Sequence, residues 1–75
     1  MSVTVYTNPN CVQCEMTKKF LDKEGIEYTV ENLQSDENYE KLVEFVNQGF
    51  KAAPIVVTDT ETWSGYKPDK LGAIK

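Results

Sequence analysis

Two cysteines, Cys11 and Cys14, are the only ones in the chain, and two residues separate them in the run NPNCVQCEMTKKF, residues 8–20. A Cys-x-x-Cys pair can hold a metal, staple a small fold, or act as a reagent that opens and closes. Structural zinc wants four nitrogen or sulfur ligands, usually from two paired motifs. Here there is one pair and no histidine, so no metal is expected. A staple across so short a loop contributes about 2 kcal/mol at most, against ~3 kcal/mol for a 15-residue loop. It would also have to persist in a reducing compartment, where structural disulfides are unusual. The missing histidine removes Cys–His nucleophilic hydrolysis as well, because no imidazole can serve as the base.

Thiol–disulfide exchange remains, and the spacing suits it. If a helix begins near Cys11, that sulfur lies over the unpaired N–H groups of the first turn, which favour a thiolate. Cys14 lies three residues on, one turn deeper on the same side. An exposed, ionisable sulfur then has a sheltered one within bonding reach. Cys11 is read as the attacking thiol and Cys14 as the resolving one, with a Cys11–Cys14 disulfide as the oxidised state.

The elements that must position this pair can be read along the chain. SVTVYT (2–7) alternates Val3 and Val5 against Thr4 and Tyr6 and predicts a strand, broken by Pro9 and Asn10. From Val12 a helix is expected, with Val12, Met16, Phe20 and Leu21 as its apolar stripe and Gly25 as its stop. IEYTVE (26–31) returns to a period of two, with Ile26, Tyr28 and Val30 on one face. Ser35, followed by Asp36 and Glu37, reads as a helix start. Tyr39, Leu42, Val43 and Val46 form that helix's stripe, and Gly49 ends it. PIVV (54–57) and TWSG (62–65) predict an antiparallel hairpin, since TDTET between them is too short for a crossover. Pro68 suits the first turn of a last helix carrying Leu71 and Ile74. The order β-α-β-α-β-β-α predicts an α/β fold: a four-stranded mixed sheet flanked by three helices, with the first two strands parallel.

The bulk numbers narrow the function. Seventy-five residues, 40% of them hydrophobic, predict one small domain spanning residues 1–75. Eight lysines against twelve acids give a net charge of -4, with no arginine, which argues against nucleic acid as a partner. Residues 22 to 44 hold eight of the twelve acids, which reads as a solvated face. The start MSVTVYTNP lacks a basic, then apolar, leader, and no run approaches the ~18 apolar residues of a membrane span. A cytoplasmic location and no membrane contact are expected.

Together the strand, the Cys-x-x-Cys at a helix start and the β-α-β, β-β-α order resemble the thioredoxin/glutaredoxin fold. The glutaredoxin-like NrdH redoxins are the particular likeness, over essentially the whole chain. VTVYTNPNCVQC (3–14), GFKAAPIVV (49–57) and WSGYKPDKL (63–71) carry it. The resemblance implies an electron donor to the catalytic subunit of class Ib ribonucleotide reductase, in the supply of deoxyribonucleotides. It implies re-reduction by thioredoxin reductase, so that NADPH is used indirectly and no cofactor is bound, and action as a monomer. It implies a cis Ala53–Pro54 bond facing the cysteines, with the Ala53 backbone left to pair with an extended substrate. It also implies a contact surface of Val12, Gln13, Ala53, Pro54, Trp63, Ser64, Gly65 and Tyr66, although Trp63 reads equally well as a core anchor.

Several residues depart from the relatives' patterns. An ordinary glutaredoxin carries Cys-Pro-Tyr-Cys, a Thr-Val-Pro segment and a Gly-Gly-x-Asp turn for glutathione. This chain has Val12-Gln13, Ala52-Ala53-Pro54 and Ser64-Gly65-Tyr66-Lys67 instead. Asn8 stands where many relatives place a lysine, so activation of Cys11 is expected to rest on the helix end. Tyr66 replaces a more usual phenylalanine. A glutathione-dependent glutaredoxin or general disulfide reductase is the alternative. A redox-sensing regulator resembling the Spx and arsenate-reductase group is a further one, but those proteins are longer.

Overall fold

In the computed structural model, residues 2–50 and 52–74 are described; Lys51, within the GFKAAPIVV segment, lies outside them. The order is β1 (Thr4–Thr7), α1 (Val12–Lys23), β2 (Thr29–Asn32), a single 3₁₀ turn (Asp36–Asn38), α2 (Tyr39–Asn47), β3 (Ile55–Val57), β4 (Thr62–Ser64) and α3 (Pro68–Gly72). The strands form one sheet in the order β2-β1-β3-β4. β1 runs parallel to β2, and β3 runs antiparallel to both β1 and β4. The architecture is the one expected from the sequence.

Strand alternation divides the core into two layers. Val5 pairs with Val56, and Val56 with Trp63, so these three side chains form one row across the sheet. Leu21 of α1 and Leu71 of α3 pack on that row, with Val3 and Ile74 at its margin. One residue along, Tyr6 pairs with Ile55 on the opposite face, where Phe45 of α2 and Leu33 cover them. The Tyr6 and Phe45 rings meet edge-on with centroids 5.0 Å apart, an arrangement aromatic pairs favour.

Three local expectations are corrected. The buried face of α1 is Cys14, Thr17 and Leu21; Val12 is 74% exposed and Met16 is exposed too, while Phe20 is only partly buried. Thr17 can sit inside because its hydroxyl donates to the Gln13 carbonyl at 2.9 Å and leaves no polar group unsatisfied. In α2 the inward residues are Phe45 and, in part, Leu42, whereas Tyr39, Val43 and Val46 face solvent. Ser35 opens a 3₁₀ turn, not α2 itself. There the Asn38 amide donates back to the Asn32 carbonyl at 2.9 Å and to Glu31 at 3.2 Å, tying the turn to β2.

The end of α1 follows the expected pattern. Gly25 takes φ +70, and the Ile26 N–H reaches back to the Leu21 carbonyl at 2.9 Å, a helix stop that glycine makes without steric cost. Beyond it β2 begins later than predicted, at Thr29. Ile26 and Tyr28 precede the strand and pack against the α1/α3 layer.

Tyr28 donates its hydroxyl to Asp22 Oδ1 at 3.0 Å. Desolvation, and then the hydrogen bond to Asp22 and its charge, push the phenol above the ordinary tyrosine value. The neutral phenol is the bonded form. Its contribution to stability is therefore complete below the unfolded pKa of about 10 and is lost as pH rises through the higher folded value. A phenolate absorbance titration of the protein against Tyr28→Phe should show a difference only above the ordinary tyrosine range. A difference at or below that range would refute the assignment.

Candidate active site

The site is assembled where β1 hands over to α1. After Thr7 the chain turns through Pro9 and Asn10, and Asn10 adopts φ +57, a left-handed conformation that asparagine tolerates better than most residues. This places Cys11 as the N-cap of α1 with extended backbone. The Cys11 carbonyl accepts the first helical bond, from the Glu15 N–H at 3.2 Å. Its Sγ accepts from the Cys14 N–H at 3.1 Å. The sulfur thus does what a serine or aspartate side chain does at an N-cap, and the same N–H and helix dipole favour negative charge on it when the pair is reduced.

Cys11 and Cys14 are joined by a disulfide, their Cα atoms 5.2 Å apart. Cys11 is half-buried, whereas Cys14 is 1% exposed. Only one of the two sulfurs is open to a reaction partner. Lys18 is ion-paired with Glu15, and that pairing holds the Glu15 carboxyl below the usual carboxylate value. The nearest cation along the helix is therefore engaged with an acid, leaving the helix end as the feature that stabilises a thiolate. Asn8 has its Oδ1 buried without a hydrogen-bond partner among the described residues.

Two further segments are tied to each other and, through Gln13, to the start of α1. The Ala53–Pro54 bond is cis, as expected; Pro54 is fully buried and Ala53 half-buried against the α2 layer. The Pro54 carbonyl accepts from the Gly65 N–H at 2.8 Å. The Ser64 hydroxyl donates to the Ala52 carbonyl at 3.0 Å. These bonds fasten the WSGY segment to the cis-proline segment.

A third bond fastens WSGY to the cysteine helix: the Tyr66 N–H donates to Gln13 Oε1 at 3.0 Å. Gln13, between the cysteines, thereby reaches a segment 53 residues away in sequence. That bond was not foreseeable, because its acceptor is one side-chain oxygen and its donor is a backbone group that carries no sequence signature. Ser64, Gly65 and Tyr66 are half-buried and remain available at the rim. Trp63 is not: it is 3% exposed in the layer beneath α1 and α3. Its ring lies under Lys70 Nζ, 5.8 Å from the centroid, while Lys70 also pairs with Glu61 at 2.8 Å. The core-anchor reading of Trp63 is the one its burial supports.

Among the described residues no group of three or more histidine, cysteine or acidic side chains is placed to hold a metal. None of their helices is long and apolar enough to cross a membrane.

A thioredoxin-type sheet with a disulfide capping the helix after its first strand defines a thiol–disulfide oxidoreductase. The glutaredoxin family model matches residues 3–63. The glutaredoxin-like protein NrdH of Lactococcus lactis is 38% identical over 72 residues, covering 96% of this chain and 97% of that protein. The NrdH protein of Salmonella typhimurium is 34% identical over 74 residues, covering 99% and 89%. The solved structure of Escherichia coli NrdH-redoxin, described as a glutaredoxin-like protein with a thioredoxin-like activity profile, superposes with a TM-score of 0.90 at 32% identity, covering 100% of this chain and 96% of that one. The chain belongs to the NrdH glutaredoxin-like proteins of the glutaredoxin family.

Proposed function

We propose that this protein carries electrons to the catalytic subunit of class Ib ribonucleotide reductase and receives them from thioredoxin reductase and NADPH. The observation that carries the reading is the asymmetry of the pair, a half-buried Cys11 capping α1 beside a Cys14 that is 1% exposed, in a chain of the NrdH family.

The Cys11 thiolate attacks one sulfur of the substrate disulfide, and the other substrate sulfur leaves as a thiolate. The Cys14 thiolate then attacks the Cys11 sulfur of the mixed disulfide. The second substrate sulfur departs, the Cys11–Cys14 disulfide closes, and two electrons have passed to the substrate. Val12, Gln13 and the rim Ser64-Gly65-Tyr66 contact the partner. The cis Ala53–Pro54 segment offers the Ala53 backbone to an extended stretch of it. The protein works as a monomer in the cytoplasm, with no resident cofactor.

The thioredoxin-like activity profile described for Escherichia coli NrdH-redoxin supports thioredoxin reductase over glutathione as the electron source. NADPH consumption, with ribonucleotide reductase as the final acceptor, separates the two. Thioredoxin reductase should sustain turnover, and millimolar glutathione with glutathione reductase should leave the protein largely oxidised. Equal or faster reduction by glutathione would overturn this reading in favour of a glutathione-dependent glutaredoxin.

A further inference from the structure

At the turn bonded to Gln13, between the two cysteines, the chain presents two successive backbone N–H groups, those of Gly65 and Tyr66, around a residue at φ +90. Successive N–H groups at a left-handed turn are a common means of holding carboxylate or phosphate oxygens. Here both are already taken, Gly65 by the Pro54 carbonyl at 2.8 Å and Tyr66 by Gln13 Oε1 at 3.0 Å. The first acceptor is a backbone carbonyl of a buried residue, part of the fold itself. The second is the end of a flexible side chain on an exposed residue between the two cysteines.

We propose that Gln13 is a specificity-determining residue, which excludes small carboxylate-bearing thiols of the glutathione class by occupying the Tyr66 N–H with its side-chain oxygen. The inference rests on the electron-source reading above and supplies its physical basis. A carboxylate arriving at this rim would have to displace the Gln13 oxygen to reach the donor. Until it does so, its own negative oxygens face the negative end of the amide dipole. The same bond ties the Ser64–Tyr66 turn to the cysteine helix, so a protein partner meets it in one shape.

Reduction by such a thiol is a two-step exchange. Its thiolate attacks the sulfur of the half-buried Cys11, the Cys11–Cys14 bond breaks, and Cys14 leaves as a thiolate and takes a proton. A second thiolate then attacks the mixed disulfide at its small-thiol sulfur, releasing the symmetrical small-molecule disulfide and the Cys11 thiolate. The site need only bind the first thiol long enough for attack, and one freed charge-assisted donor raises that occupancy on the order of tenfold.

The test compares the oxidised full-length protein with Gln13→Ala and Gln13→Glu. Reduction is followed with glutathione and with glutathione whose two carboxylates are esterified. Gln13→Ala should accelerate reduction by glutathione about tenfold while changing the rate with the ester little. Gln13→Glu, which keeps an acceptor oxygen and adds a negative charge, should show no gain. A merely structural role for Gln13 would lower both rates. No gain with Gln13→Ala, or an equal gain for glutathione and its ester, overturns the proposal. Amide hydrogen exchange supplies a second readout: Tyr66 should lose protection in Gln13→Ala, and unchanged protection would also overturn it. Efficient reduction of the unsubstituted protein by glutathione would instead count against the electron-source reading, so the two failures are distinguishable.

Discussion

A Cys14→Ser variant should accumulate a covalent complex with its substrate, joined through Cys11, and should lose turnover. The expectation follows from access and from order of attack. A disulfide on a large partner can approach the half-buried Cys11 at the mouth of α1, but not Cys14, which is 1% exposed and packed inward beside Thr17 and Leu21. Cys14 can act only on a sulfur already delivered to Cys11, and the 5.2 Å between their Cα atoms allows that bond. Without Cys14 the mixed disulfide has no internal exit and waits for an external thiol. Cys11→Ser should trap nothing, because the remaining thiol is out of a partner's reach. Mass spectrometry of each variant after incubation with a disulfide-bonded protein substrate reads this directly. A trapped complex in Cys11→Ser, or its absence in Cys14→Ser, would reverse the roles.

The second large effect concerns the scaffold. Leu21 is completely buried between the Val5–Val56–Trp63 row and α3, and it lies on the helix that carries both cysteines. Leu21→Ala removes apolar burial and leaves a cavity, a combination that typically costs 2–5 kcal/mol. At roughly 0.05–0.15 kcal/mol per residue, a chain of this size has a total stability of about 4–11 kcal/mol. The variant should therefore melt about 8–40 °C lower, at about 4–8 °C per kcal/mol for a domain of this length, as followed by circular dichroism. Val12→Ala, equally apolar but 74% exposed, should shift the midpoint only within the small range of surface substitutions. Equal shifts for the two would mean that the inward face of α1 has been misassigned.

Those two positions mark where the sequence was readable. The succession of strands and helices, the parallel first pair, the antiparallel last hairpin and the capping place of Cys11 follow from local signals: alternation in SVTVYT, the stop at Gly25, the short TDTET turn and the Cys-x-x-Cys spacing. The pairing of β1 with β3 carries no such signal. The cis Ala53–Pro54 bond was legible only through family likeness. The inward face of α1 was not legible, since hydrophobicity points to Val12 and Met16. The buried positions beside Leu21 are instead filled by Cys14 and by Thr17, a residue whose hydroxyl is satisfied within its own helix. α2 misleads in the same direction: Tyr39, Val43 and Val46 look like a core stripe, but the layer beneath is filled by Phe45 with Leu42. In both helices there is more apolar surface than the small sheet can cover. The Gln13–Tyr66 bond belongs to tertiary geometry alone.

The order β2-β1-β3-β4 leaves β2 and β4 as the outermost strands, each with a row of backbone groups open to recruitment by another extended chain. Both are brief, four and three residues. Glu31 sits within β2, and Glu61 immediately precedes β4. Short borders bearing charged side chains, Glu31 on β2 and the Glu61–Lys70 pair beside β4, discourage edge-to-edge pairing between copies, since that pairing would have to crowd or desolvate them. A redox carrier must keep its reactive end open while meeting many molecules at its flanks. Here the fold guards those flanks with short strands and charged side chains and leaves the apolar Val12 exposed at the end where collisions are useful.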